Sequence, residues 1–215
     1  MTSWGTHNLK GFLCAALFLL FLWDTVVVAD TDTPSAQLRQ TLNSLLTILS
    51  DERLKEPEQA AERRAKISQV LSQRFAYAAM AQETLGRHWH TLSQAQQSEF
   101  VPLFSTLLER EHVERIEKYG GSEKSVSFVD ETIESAGKAV VHIEIADPGD
   151  PTTREDIKYH LEKHDDGWYV HDILMEGSSI VRNYRAQFDK IVRQESYDEL
   201  LRRLQMSPVS TKPAP

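Results

Sequence analysis

The chain has 215 residues, a formal net charge of −8 and a single cysteine. An acidic balance excludes nucleic acid, whose phosphates select basic surfaces, and it disfavours direct docking on anionic lipid, which attracts basic patches. With one thiol there is no internal disulfide and no cysteine metal site, so stability has to come from an apolar core, and the length suits one domain of useful size.

The N-terminal segment sets the compartment. Lys10 precedes an apolar run from Phe12 to Trp23. A bilayer span needs about 20 apolar residues, so this run is too short for one. A basic residue, a short apolar core and the small-residue exit Val27-x-Ala29 form the pattern of a secretory signal, with cleavage expected after Ala29. Residues 1–29 are therefore expected to be removed and the product to work outside the cytoplasm. Cys14 sits near the start of the run, leaves with it, and is misplaced for lipidation. Lys10 and Asp24 cancel, so the remaining 186 residues also carry −8.

Helical signals follow. Thr33 before Pro34 reads as an N-cap with proline in the first turn. Leu38, Leu42, Leu45, Leu46 and Leu49 then form one apolar face. A second helix is expected from near Pro57, with Ile67, Val70, Leu71 and Phe75 on its face and Glu62–Lys66 as an i,i+4 pair. A third runs from Tyr77 to Leu85 and stops at Gly86. Ser93 and Gln96 make a capping box for a long fourth helix carrying Phe100, Leu103, Phe104, Leu107, Leu108 and Ile116. Pro102 in its early turns predicts a late start or a kink, and Gly120-Gly121 ends it.

The hydrophobic period then falls to two. Val126 and Phe128, then Ala139 to Ile145, then Ile157 to Leu161 alternate with polar residues, and Trp168 to Met175 follows the turn Asp165-Asp166-Gly167. These read as consecutive antiparallel strands with one buried face. Helix returns after Gly177 with Ile180, Val181, Tyr184, Phe188, Ile191 and Val192 on one stripe. Ser196 and Glu199 box a last helix through Leu204, and Ser207–Pro215 reads as a disordered tail. The fold class is α+β: N-terminal helices, an antiparallel sheet of about four or five strands, and C-terminal helices packing back on it. Residues 30–206 form a single domain.

Catalytic signatures are weak. His88-Trp89-His90 offers two metal ligands without a well-spaced third. His142 and His160, flanked by Glu144 and Glu162, fall on polar strand positions that alternation turns to solvent. No nucleophile elbow, S-x-x-K or phosphate-cradling loop occurs. The expectation is neither enzyme nor metal protein, and no cofactor. Aromatic and branched side chains on every inward stripe fit either a filled core or one with a gap that holds an apolar ligand.

Two stretches carry a family resemblance. One is Phe75-Ala76-Tyr77 with Met80, Leu85-Gly86-Arg87-His88-Trp89, Leu92-Ser93, Gln96-Gln97 and Phe100. The other is Gly167-Trp168-Tyr169-Val170-His171-Asp172-Ile173, Glu176-Gly177-Ser178-Ser179-Ile180-Val181, Asn183-Tyr184-Arg185 and Gln187-Phe188. Together they resemble the periplasmic phospholipid-binding MlaC family, also called the toluene-tolerance family, from about Pro34 to Leu204. Ala76 stands where that family usually has an acidic residue, and His112 where an aromatic one is common.

The resemblance implies a monomeric, non-enzymatic phospholipid carrier that maintains outer-membrane lipid asymmetry. It implies partners too: an inner-membrane MCE protein with its ABC transporter, and an outer-membrane lipoprotein–porin complex. Acyl tails are then expected in a cavity between sheet and helices, lined or bordered by Phe104, Leu107, Leu108, Val141, Ile143, Tyr159, Leu161, Val170, Ile173, Val181, Tyr184 and Phe188. Asp172, Asn183 and Arg185 are read as caps and hydrogen bonds joining strand to helix, with contact to the lipid head group as the alternative. A hopanoid cargo, an enzyme with an inward Asp or His of perturbed pKa, and a non-lipid envelope adaptor with a filled core are the alternatives.

Overall fold

The computed structural model describes residues 32–119, 125–147 and 149–206. The expected signal segment and C-terminal tail lie outside the described residues, as does the Gly120-Gly121 stop. Helix α1 (Pro34–Ser50) starts as its sequence predicts: the Thr33 hydroxyl accepts the Ala36 N–H, with proline in the first turn. Asp51 then caps a short helix α2 (Glu52–Lys55), which the sequence pattern had not separated from its neighbour. A 3₁₀ turn at Pro57–Gln59 leads into α3 (Ala60–Ser72).

Phe75 lies beyond the end of α3 rather than on its face. It bridges to Val170 in the sheet, and the backbone exchanges Ala76 N–H to Val170 O and Val170 N–H to Arg74 O, both at 2.9 Å. Helix α4 (Tyr77–Leu85) stops at Gly86, which holds φ +52°. Helix α5 (Gln94–Tyr119) follows. Its capping box forms in both directions: the Gln96 N–H reaches the Ser93 hydroxyl, and Ser93 N–H reaches Gln96 Oε1. That box starts the helix ahead of Pro102, so the late start does not occur and the proline sits inside the helix.

Strands β1 (Ser125–Ser135), β2 (Lys138–Asp147), β3 (Asp150–His164), β4 (Gly167–Met175) and β5 (Ser178–Ser179) make one antiparallel sheet in chain order. Helices α6 (Ile180–Gln194) and α7 (Tyr197–Met206) close the chain. The Ser196 hydroxyl accepts the Glu199 N–H, but the Glu199 side chain turns to Arg202 and Arg203 instead of completing the box.

Register places the side chains of the core-facing side in rows across the sheet, with Ile133 at the β1 edge left exposed. One row is Ile133–Ala139–Leu161–Val170, the next Glu131–Val141–Tyr159–Ile173, and the next Phe128–Ile143–Ile157–Met175. Val170 and Ile173 both point inward although three residues apart. Strict alternation would have turned Asp172 in. A register shift between His160 and Leu161 inserts His171 as an extra residue in β4 and restores the phase. The resulting class is the α+β architecture that the periodicity predicts.

Candidate functional site

The inward rows are not covered equally. At one end, α5, α6 and the sheet fill the space. Phe104 meets Tyr184 edge-on at 5.6 Å between ring centroids and Phe188 at 6.2 Å, and Phe100 meets Phe188 at 5.9 Å. Phe104, Leu108, Val141, Ile143, Leu161, Val170 and Phe188 are all at most 1% exposed.

At the other end a cavity of about 720 Å³ lies between α1, the C-terminal half of α5 and the sheet. That volume falls in the range of about 300–1,000 Å³ that accommodates an organic ligand. Helix α1 supplies Leu38, Leu42, Leu45, Leu46 and Leu49. The sheet supplies Val126, Ile145, Ile157, Tyr159, Ile173 and Met175, and Leu71 and Phe75 add to the wall. Helix α5 contributes His112, Arg115 and Ile116.

Polar groups gather at the rim. Asn43, Thr47 and Ser50 of α1, with Lys55 of α2, border the cavity and are exposed. Lys55 pairs with Glu52 at 2.6 Å and Arg115 with Glu155 at 3.8 Å, and both cations keep about half of their side chains in solvent. Deeper in, burial pushes the Tyr159 phenol up to about 12. Burial, with the Arg115 charge in support, pushes the His112 imidazole down to about 4.

The sequence-predicted lining divides between these two ends. Tyr159 and Ile173 are on the cavity wall. Phe104, Leu107, Leu108, Val141, Ile143, Leu161, Val170, Val181, Tyr184 and Phe188 are in the packed core and not among the residues that line this cavity. What sequence reasoning missed is α1. In the fold its leucines cover a wide arc that leaves Leu46 44% exposed, more than a core stripe needs.

Asp172 links strand to helix. One carboxylate oxygen accepts the backbone N–H of Ile173 and Val181, the other the Ser179 hydroxyl, which itself caps α6 through Arg182 N–H. Arg185 donates to the Glu83 carbonyl at 2.6 Å.

The histidines disperse. His88 binds Asp189 at 2.8 Å on the 3₁₀ turn Gly86–Thr91. His142 faces Lys158 across the strands, not His160, and His160 meets His171 edge-on at 6.2 Å. Among the described residues, His142, Glu144 and Asp156 bring ligand atoms within 4.8 Å of one another, a spacing that could hold a cation. His142 is already hydrogen-bonded to Asp156, and Arg154 lies 3.7 Å from Glu144.

No described helix is long and apolar enough to cross a membrane. A family model described as MlaC protein matches residues 39–206. No curated protein matches the chain. Among solved structures, the fold is similar to that of the phospholipid-binding protein from Ralstonia solanacearum, determined in complex with a phospholipid. The TM-score is 0.65 at 20% identity, over 79% of this chain and 93% of that one.

Proposed function

Because the chain belongs to the MlaC family, we propose that it is a phospholipid carrier whose cavity between α1, α5 and the sheet holds the acyl tails. The observation that carries this reading is the apolar cavity of about 720 Å³ with Lys55 and Arg115 at its rim. Support also comes from the phospholipid found with the similarly folded Ralstonia protein. In this reading Tyr159 and Ile173 touch the tails, while Phe104, Phe188 and the rest of the packed end brace the cavity from behind.

The energetics suit a carrier. Each buried CH₂ is worth about 0.8 kcal/mol, so two long chains are worth on the order of 20 kcal/mol. Spontaneous loss to water is then slow, and delivery needs a partner that opens or abuts the cavity. We take residues 1–29 as a removed export signal, 30–206 as the carrier domain and 207–215 as its tail. The protein then works as a monomer in the periplasm. It exchanges lipid with an inner-membrane MCE protein of an ABC transporter and with an outer-membrane lipoprotein–porin complex, and so maintains outer-membrane asymmetry. A carrier with net charge −8 avoids adhering to either anionic surface on its way.

One observation favours an enzyme: His112 is an inward histidine of depressed pKa. A general base needs a partner to orient it and a group to act upon. Among the described residues neither ring nitrogen of His112 has a hydrogen-bond partner, and the cavity wall offers no cysteine and no inward carboxylate. Mass spectrometry of lipid extracted from the purified protein separates the readings. Intact phospholipid, near one molecule per chain, is expected. A protein that folds yet neither carries nor accepts lipid would overturn the proposal. Recovery of a hopanoid would correct the cargo, and lysophospholipid with free fatty acid would favour the enzyme.

A further inference from the structure

Among the described residues that line the cavity, His112 is the one whose buried polar atoms are both unpartnered. His112 is 7% exposed, and among the described residues neither Nδ1 nor Nε2 finds a hydrogen-bond partner. Its ring leans on Phe75, with centroids 4.9 Å apart, and the wall around it is largely leucine and isoleucine. Buried polar groups are almost always paired, and an unpaired one lowers stability. The position therefore calls for a partner that arrives with the contents of the cavity. The imidazole is neutral near pH 7, because burial holds its pKa down at about 4. A neutral ring presents one N–H donor and one bare acceptor nitrogen.

Arg115 fixes the direction of the rim. It lies three residues farther along α5, an advance of about 4.5 Å on the helix axis, and about half of its side chain is in solvent. We infer that His112 recognises the acyl ester of the bound lipid, donating its N–H to an ester carbonyl while the phosphate rests at the rim beside Arg115 and Lys55.

This inference rests on the phospholipid-carrier reading. In a glycerophospholipid the glycerol carbons and one ester oxygen separate the phosphate from the ester carbonyls, a span comparable to the step from Arg115 to His112. The carbonyls are also the last polar atoms before the tails, so a single buried donor at that depth is satisfied without placing any polar group among the leucines of α1.

The consequence is selectivity. A wall of hydrocarbon alone discriminates weakly, by length and bulk. A buried donor rejects an analogue that lacks the acceptor, because the donor is then left unpaired.

The test compares two lipids of identical chains and head group: dioleoyl phosphatidylglycerol, and its analogue in which both esters are ethers. The protein is purified after export, stripped of lipid, and titrated with each in competition with a pyrene-labelled phosphatidylglycerol. The wild type is expected to prefer the diester about tenfold, equivalent to about 1.4 kcal/mol. His112→Phe is expected to bind both lipids with a ratio near one. His112→Gln, which retains a donor, restores part of the preference. The ¹⁵N–H resonance of His112 is expected to move on loading with the diester and to stay with the diether.

Equal affinity of the wild type for the two lipids overturns the inference while leaving the carrier reading intact, as does a preference that survives in His112→Phe. Failure of the wild type to bind either lipid overturns the carrier reading itself.

Discussion

Asp172 and Val181 are joined across the end of the sheet: the carboxylate on β4 accepts the backbone N–H in the first turn of α6 at 3.1 Å. The same carboxylate holds Ile173 N–H and the Ser179 hydroxyl. One acidic side chain thus closes the turn between strand and helix and fixes the bulge at His171 that aims Ile173 into the cavity. Asp172→Ala leaves three half-buried or buried donors without their acceptor. At about 1 kcal/mol or more each, a loss of about 2–4 kcal/mol is expected in urea unfolding. Asp172→Asn, which keeps one acceptor oxygen, should lose about half as much.

Gly167 is a second constrained point. It holds φ +143°, and a Cβ there would stand 2.7 Å from Gln37 Oε1. That oxygen is committed twice, accepting Trp168 N–H at 2.9 Å and an Arg74 guanidinium N–H at 2.6 Å. Gly167→Ala therefore strains the backbone and displaces the amide that ties α1 to β4. A cost of about 1–3 kcal/mol is expected, read as a lower melting temperature, with Gln37→Ala falling in the same range and Gly177→Ala, strained at φ +75° but meeting nothing within 4 Å, costing less.

The division between packed and hollow ends predicts two separable kinds of variant. Leu42→Trp adds bulk on the cavity wall and should cut the lipid recovered per protein several-fold with little change in lipid-free stability. Leu108→Ala removes a fully buried side chain from the packed end and should cost about 2–5 kcal/mol. The fraction of Leu108→Ala that remains folded should carry wild-type amounts of lipid. Paired melting curves and lipid-to-protein ratios check both.

Acid should destabilise the lipid-free protein through His112. Its pKa is about 4 in the fold against 6.5 for the free side chain, so the unfolded chain takes up the proton first. Stability is complete above about pH 6.5 and declines as pH falls toward 4, by about 3 kcal/mol in all at 1.36 kcal/mol per pKa unit. The half-buried carboxylates of Glu62 and Glu199 act lower. Hydrogen bonds from Arg53 and Lys66 to the first, and from Arg202 and Arg203 to the second, hold them at about 2. Their contribution is lost between the ordinary carboxylate range and that value. Urea unfolding at pH 7 and 4.5 is expected to show a loss of about 2–3 kcal/mol in the wild type that His112→Phe removes.

Much of the architecture was legible because it is written in local chemistry. Thr33-Pro34, Ser93 with Gln96, Gly86 and Asp166-Gly167 each specify their own turn or cap. Periodicity marked Phe104, Tyr184 and Phe188 as inward but not what lay between them, and they pack ring against ring. Leu42 and Leu45 carry the same signal as any core leucine, and only the tertiary placement of α1 over one end of the sheet leaves space beneath them. The bulge at His171 was beyond sequence reach as well. It depends on the pairing of β3 with β4, and the apolar pattern from Trp168 to Met175 fits two phases equally well. His112 was visible as an oddity at its position, though its unpaired ring required the surrounding wall.

The polar ties of α1 gather toward its beginning. Ser35 N–H reaches Glu131, the Trp168 indole reaches the Asp32 carbonyl, and Gln37 and Thr41 hold Arg74. From Asn43 onward Leu45, Leu46 and Leu49 line the cavity, and Ser44 and Thr47 bond only to their own helix backbone. The side-chain hydrogen bonds that tie the helix to the sheet and to Arg74 are thus confined to its first half. Deuterium uptake in the lipid-free protein should rise along α1 from Leu38 toward Ser50, and loading should flatten that gradient, because the cargo packs against the cavity-facing leucines of the half without polar ties to the sheet.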